Sequence, residues 1–141
     1  RRFRAVVIGG TGLNLLAPAE ARRWARRGFA LPRDNANTES LAVPALVPLY
    51  RRALQRGGRT GALAACLMGA FPNMSKADFA RVQTPALVAC GGKDTLAGSP
   101  IPLASSIPGA RAVLVPGRNP LSVVADPFFK GAVLGFLGSH R

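Results

Sequence analysis

The sequence predicts an α/β fold built on a parallel sheet, and three observations carry that reading. Three short apolar runs, "RAVVIGG", "PALVACGG" and "ARAVLVPG", each close on a glycine or a Pro-Gly pair, the look of buried parallel strands and the turns after them. Helical patterns separate the runs, which is the alternation that gives crossover connections. The size also fits: 141 residues, 48% of them hydrophobic, make one domain able to bury roughly two-thirds of its extended-chain surface.

The elements follow in chain order. "RAVVIGG" is the first strand, with a turn at Gly9-Gly10. "APAEARRWARRGFALP" places Ala21, Trp24, Ala25 and Gly28 at helical spacing, with Arg22, Arg23, Arg26 and Arg27 toward the other side, and Pro32 ends it. "RDNANTES" is polar and loop-like. Helical spacing returns from Leu41 to Gly57, limited by Pro44 and Pro48, and from Gly61 to Ala70. In "SKADFARV" Ser75 is an N-cap and Asp78 completes a capping box, so a short helix follows. "PALVACGG" is the second strand, "SPIPLASSIPG" a weak helix closed by Pro108-Gly109, and "ARAVLVPG" the third strand. "VLVPGRNPLSVV" then runs through Pro116-Gly117 into a helical pattern. Last, "DPFFKGAVLGFLGSH" has Asp126 at the N-cap and Pro127 at the first helical position. It carries Phe128, Phe129, Ala132, Val133, Phe136 and Leu137 along one broad face.

Composition excludes several classes. No apolar run reaches the ~20 residues of a spanning helix, because Gly, Pro or Arg interrupts each one. Cys66 and Cys90 lie inside apolar segments without CxxC spacing, which reads as buried free thiols in a reducing, cytoplasmic setting with no disulfide, metal or cofactor. The opening "RRFRAVVIGGTGLNLLAPA" imitates a signal peptide, but Gly9, Gly10, Gly12 and Asn14 spoil its apolar region. With no initiating Met, the chain reads as one that begins inside a longer protein.

Charge raises a separate possibility. Nineteen basic against six acidic residues give +13, and "RRFR", "ARRWARR" and "YRRALQR" set Arg clusters near Trp24 and Tyr50, as phosphate contacts with stacking would require. No nucleic-acid-binding fold signature accompanies them, and a solvated Arg-rich surface accounts for the same residues.

The chemistry centres on "LVACGGKDTLAGS". A loop just after the carboxyl end of a buried strand is where α/β proteins place working residues, and Asp94 lies there. An Asp in that position also serves as the cap of a following turn.

Taken together, "TPALVACGGKD", "LASSIPGARAVLVPGR" and "DPFFKGAVLGFL" resemble the C-terminal half of α/β-hydrolases: an apolar strand, Gly and the catalytic acid, then a strand, a histidine loop and a last helix. "FRAVVIGG" looks like the strand that follows the nucleophile helix in that family. The resemblance is strong over the last sixty residues or so and loose before them. It implies a partial α/β-hydrolase-like parallel sheet: residues 1–19 as first core strand and loop, 20–80 as a helical cap insertion, 81–141 as the C-terminal core segment. It implies Asp94 as the acid that holds an imidazole in the right tautomer. The family's histidine follows a P-G-x-x-H string, and the matching place here holds Pro120. No G-x-S-x-G nucleophile elbow occurs in the chain, and His140 is its one histidine. Ser99, Ser105, Ser106 and Ser122 have no neighbouring base and read as caps or surface hydroxyls.

Three expectations follow. The chain is the acid-and-cap half of an ester or acyl hydrolase acting on a small molecule, either a fragment missing its N-terminal half or a chain whose other half is separate, and inactive alone. Or it is a degenerate, non-catalytic binding protein. Or it is a basic module for nucleic acid or other anions. Three parallel strands leave the first in need of a neighbour, so either a partner supplies one or the molecule self-associates across the exposed sheet edge.

Overall fold

A computed structural model describes residues 3–17 and 74–141, together with Ala19, Arg23, Arg51, Arg52 and Gln55. The chain divides into two compact units, residues 1–16 with 73–141, and residues 17–72. In the second unit, Ala19, Arg23, Arg51, Arg52 and Gln55 are helical and exposed. The helices expected over 20–70, with Trp24, Tyr50, Cys66 and most of the Arg clusters, lie outside the described residues.

The first unit runs β1 (Val6–Gly9), α1 (Leu13–Leu16), α2 (Lys76–Ala80), β2 (Ala86–Gly91), α3 (Ile101–Ser105), β3 (Arg111–Val115) and α4 (Pro127–Gly138). The three strands form one sheet in the order β1-β2-β3, all parallel, with Val7 opposite Leu87 and Ala89 opposite Val113. β2 is buried along its whole length, as a central strand flanked on both edges and both faces must be. The third strand is not buried as its apolar run suggests: Arg111, Ala112 and Leu114 are exposed, because β3 is an edge.

Side chains alternate across the strands, so each face gathers its own core. On one face Val6 and Ile8 of β1 and Ala86 and Val88 of β2 pack with Phe79, Leu103, Ala104 and Ile107, and Leu15 and Leu16 of α1 join them. Leu103 is fully buried there, a side-chain burial that stabilises by about 1.5–3 kcal/mol. α4 packs against β2 and β3 on the other face, with Phe136 buried in α4 and Phe129 close to Gly9 of β1.

The caps behave as their residue types dictate. Ser75 and Asp78 form the expected reciprocal box at α2: Ser75 Oγ accepts from the Asp78 amide and Asp78 Oδ2 accepts from the Ser75 amide at 2.8 Å. Asp126 caps α4 by accepting from the Phe128 amide at 2.8 Å, with Pro127 at the first helical position. α4 turns a narrower face inward than expected: Phe128 and Leu137 are exposed, while Phe129, Ala132 and Val133 are half-buried. Among the described residues, no helix is long and apolar enough to cross a membrane.

Candidate active site

Because the strands are parallel, their carboxyl ends lie along one rim, and the three loops leaving them are fastened to one another. Gly12 of the first loop passes so close to the second that a Cβ there would stand 2.5 Å from the Ser99 carbonyl oxygen. The Leu13 amide donates to Ser99 O at 3.0 Å and the Asn14 amide to Ala97 O at 3.2 Å. Gly91 plays the same part toward the third loop: a Cβ there would meet Arg118 O at 2.2 Å. Two hydrogen bonds flank this approach, Gly92 N to Val115 O at 2.7 Å and Lys93 N to Arg118 O at 2.8 Å. Glycine is required at both places by main chain pressed on main chain.

Asp94 sits in the middle loop, 5% exposed. Its Oδ1 accepts from the amides of Leu96 at 3.0 Å and Ala97 at 2.9 Å, which fixes the carboxyl group's rotation. Its Oδ2 is buried and, among the described residues, has no hydrogen-bond partner. The capping reading and the working-residue reading therefore describe different oxygens of one carboxylate. A buried acceptor left unpaired costs about 1–3 kcal/mol.

The third loop answers for the place where the resemblance expects a histidine. The helical pattern expected after Pro116-Gly117 is absent: residues 120–125 form turns, and helix resumes at Pro127. The reason is local hydrogen bonding. Asn119 Oδ1 accepts from the Leu121 and Ser122 amides at 3.0 and 2.9 Å, the Asx-type bonding that competes with helix. Arg118 Nε donates to Asp126 Oδ2 at 2.6 Å and ties the loop to the start of α4. That hydrogen bond holds the Asp126 carboxyl below its ordinary range.

His140 lies elsewhere. Its Nδ1 is 2.8 Å from the Phe136 carbonyl oxygen and its ring is 4.5 Å from that of Phe136, so it is folded back on the end of α4. Three of the expected serines make local bonds: Ser99 Oγ accepts from Ile101 N, Ser106 Oγ donates to Pro102 O, and Ser122 Oγ accepts from Asn119 N, while Ser139 Oγ donates to Phe136 O and lies 3.1 Å from His140 Nδ1. Cys90, under the same rim, donates its thiol to Thr11 O at 3.2 Å, and burial pushes its pKa up to about 11. Among the described residues no group of His, Cys, Asp and Glu could hold a metal ion. Sequence reasoning nominated Asp94 from its place after a strand. It missed the Gly12 and Gly91 contacts, for which the only signal was a glycine at each strand exit.

The fold has close counterparts among solved structures. A hydrolase from Pseudomonas aeruginosa is 28% identical with a TM-score of 0.55, the match covering 95% of this chain and 55% of that one. MGS-M2, an alpha/beta hydrolase from a deep-sea metagenome library, matches over 95% of this chain and 56% of its own at 16% identity and a TM-score of 0.52. The chain has part of the α/β-hydrolase fold. A thermophilic esterase from Thermogutta terrifontis, 17% identical with a TM-score of 0.58, matches over 99% of this chain and 58% of its own. This α/β-hydrolase-fold chain thus spans a little over half the length of the structures it matches. No protein-family profile and no curated protein matches its sequence.

Proposed function

We propose that this chain supplies the acid of an ester or acyl hydrolase and is catalytically silent by itself. The observation that carries the reading is the second oxygen of Asp94: buried, unpartnered among the described residues, and held at the rim by a carboxylate whose other oxygen is fixed. An imidazole N–H donated to Oδ2 would be oriented in one tautomer and stabilised once protonated, which is the acid's task in a catalytic triad. The chain lacks the other two members. Pro120 stands where the histidine is expected and cannot exchange a proton, and among the described residues the one serine beside an imidazole, Ser139 with its Oγ 3.1 Å from His140 Nδ1, donates to Phe136 O at the end of α4, away from Asp94. In this reading the activated hydroxyl and the imidazole come from outside residues 1–141. In this reading residues 20–80 are the cap insertion.

A second reading, a non-catalytic binding protein, is favoured by the Arg118–Asp126 pair and the Asn119 turn, which give the third loop a purely structural occupation. Assays with short p-nitrophenyl esters test the first reading. The chain alone is expected to match buffer, and turnover by the chain alone that vanishes in Asp94→Asn would overturn the silence. Asp94→Asn that leaves the activity of a completed complex intact would overturn the acid's role. The third reading, a basic nucleic-acid module, requires affinity for DNA that falls steeply with salt.

A further inference from the structure

The first loop carries a polar turn that the acid's role leaves unused. Asn14, the second residue of α1, reaches back along the chain: its Oδ1 accepts from the Gly12 amide and from Thr11 Oγ1, both at 3.0 Å. One oxygen thus closes the turn from Thr11 to Asn14. A helix of four residues is too short to hold such a turn by its own ladder, so a side chain that satisfies the amide just before it does the work of a cap. The same residue also points outward, because its amide donates to Ala97 O in the acid loop at 3.2 Å, beside the bond from the Leu13 amide to Ser99 O.

Ala97 is where the two loops grip one another. It is fully buried; its carbonyl is held by the Asn14 amide, and its own amide donates to Asp94 Oδ1 at 2.9 Å. Beyond it the chain turns through Gly98 at φ +69°, the residue type with the least conformational restriction, so the acid loop relies on an outside hold at this point. At its other end the turn is tied to β2, since the Cys90 thiol donates to Thr11 O at 3.2 Å. A continuous run of hydrogen bonds therefore leads from the end of β2 through Thr11, Asn14 and Ala97 to the Asp94 carboxylate. The carboxyl torsion of an aspartate is intrinsically broad, so the Leu96 and Ala97 amides on Oδ1 decide where Oδ2 points.

We infer that Asn14 is a positioning residue for Asp94: it acts through Ala97 and keeps the free carboxylate oxygen in one direction. What that direction serves rests on the acid reading above, while the hold itself does not depend on any ester being cleaved. Each residue of "TGLN", 11 to 14, then has a part. Thr11 supplies a donor to the Asn14 oxygen, Gly12 lets the main chain cross the acid loop, the Leu13 amide holds Ser99 O, and Asn14 joins the turn to Ala97. If Asn14 served only to stabilise α1, its loss would weaken the fold as a whole and leave the bond between Ala97 and Asp94 as it is in every folded molecule.

The test is solution NMR of the chain with two readings at Ala97. One is the scalar coupling across the hydrogen bond from the Ala97 amide nitrogen to the Asp94 carboxyl carbon; the other is amide exchange at Ala97 relative to Val88 in the central strand. Asn14→Leu keeps the size of the side chain and removes its acceptor. It is expected to abolish the coupling and to speed Ala97 exchange at least about tenfold beyond any change at Val88. Asn14→Asp retains an acceptor oxygen and should restore both readings. Thr11→Val removes one of the two bonds to that oxygen and should move both readings the same way by less, a second measure that stands if Asn14→Leu does not fold. Ser75→Ala breaks the α2 cap and should lower the urea midpoint while leaving the coupling intact. An unchanged coupling in Asn14→Leu and Thr11→Val, an equal loss in Ser75→Ala, or no recovery in Asn14→Asp would overturn the positioning role. Ester hydrolysis by a completed complex that survives Asp94→Asn counts against the acid reading and leaves these NMR readings unaffected, so the two failures are separable.

Discussion

Replacing Gly91 by alanine strikes the point where the acid loop and the third loop are pressed together. The new Cβ would stand 2.2 Å from Arg118 O and 2.8 Å from its carbonyl carbon, where ordinary contact begins at 3.4 Å. One loop must therefore retreat by about 1.2 Å, and both atoms it meets are main chain, so no side chain can swing aside. Overpacking of this kind costs about 1–3 kcal/mol. The movement also stretches the Gly92–Val115 and Lys93–Arg118 hydrogen bonds, each contributing about 0.5–1.5 kcal/mol. The expected loss is about 2–4 kcal/mol, read as a lower urea midpoint at unchanged slope by circular dichroism. Gly131→Ala is the control, since nothing lies within 4 Å of its Cβ position in the middle of α4. It should stabilise by up to about 1 kcal/mol through helix propensity alone. If Gly91→Ala unfolds within about 0.5 kcal/mol of the parent chain, the claim that glycine holds these loops together is wrong.

Other outcomes follow from the same packing. Leu103→Ala empties a fully buried site between α3 and the sheet and should cost about 2–5 kcal/mol in urea unfolding; a loss under 1 kcal/mol would mean the site collapses freely. Asp126 has its pKa lowered by the Arg118 hydrogen bond, and Asp78 by its bonds to Ser75. For groups depressed on folding, the stabilisation is present above the unfolded carboxylate value of about 3.9 and is lost as pH falls through the folded value. Melting temperature should thus drop below about pH 4, and less steeply in Arg118→Gln; equal slopes would deny the pair a role. With Cys66 replaced by serine, Cys90 should resist a thiol reagent at pH 8 until the chain unfolds, because its thiol is buried and titrates at about 11. Rapid labelling of the native chain would contradict that.

The strands, the capping box and the Asp126 cap were legible because each is a local matter. An apolar run ended by glycine, or a serine followed three places later by an aspartate, has one economical conformation. Edge and centre were not legible: "ARAVLV" and "ALVACG" read alike, but only β2 has strands on both sides. α4 hid its inward arc for a related reason, since an almost wholly apolar helix has no polar face by which to orient it. α1, four residues between Gly12 and Pro18, is too short to show periodicity. The third loop misled because Leu121, Val123 and Val124 mimic helical spacing, while Asn119 diverts the backbone through its own side-chain bonds. At the site, sequence could nominate Asp94 but could not divide its two oxygens, since that division depends on amides folded around it.

The glycine contacts at the rim have an evolutionary consequence. Where main chain holds main chain, the path of a loop does not depend on what the residue at position 120 carries, so that residue can be exchanged without redrawing the loop.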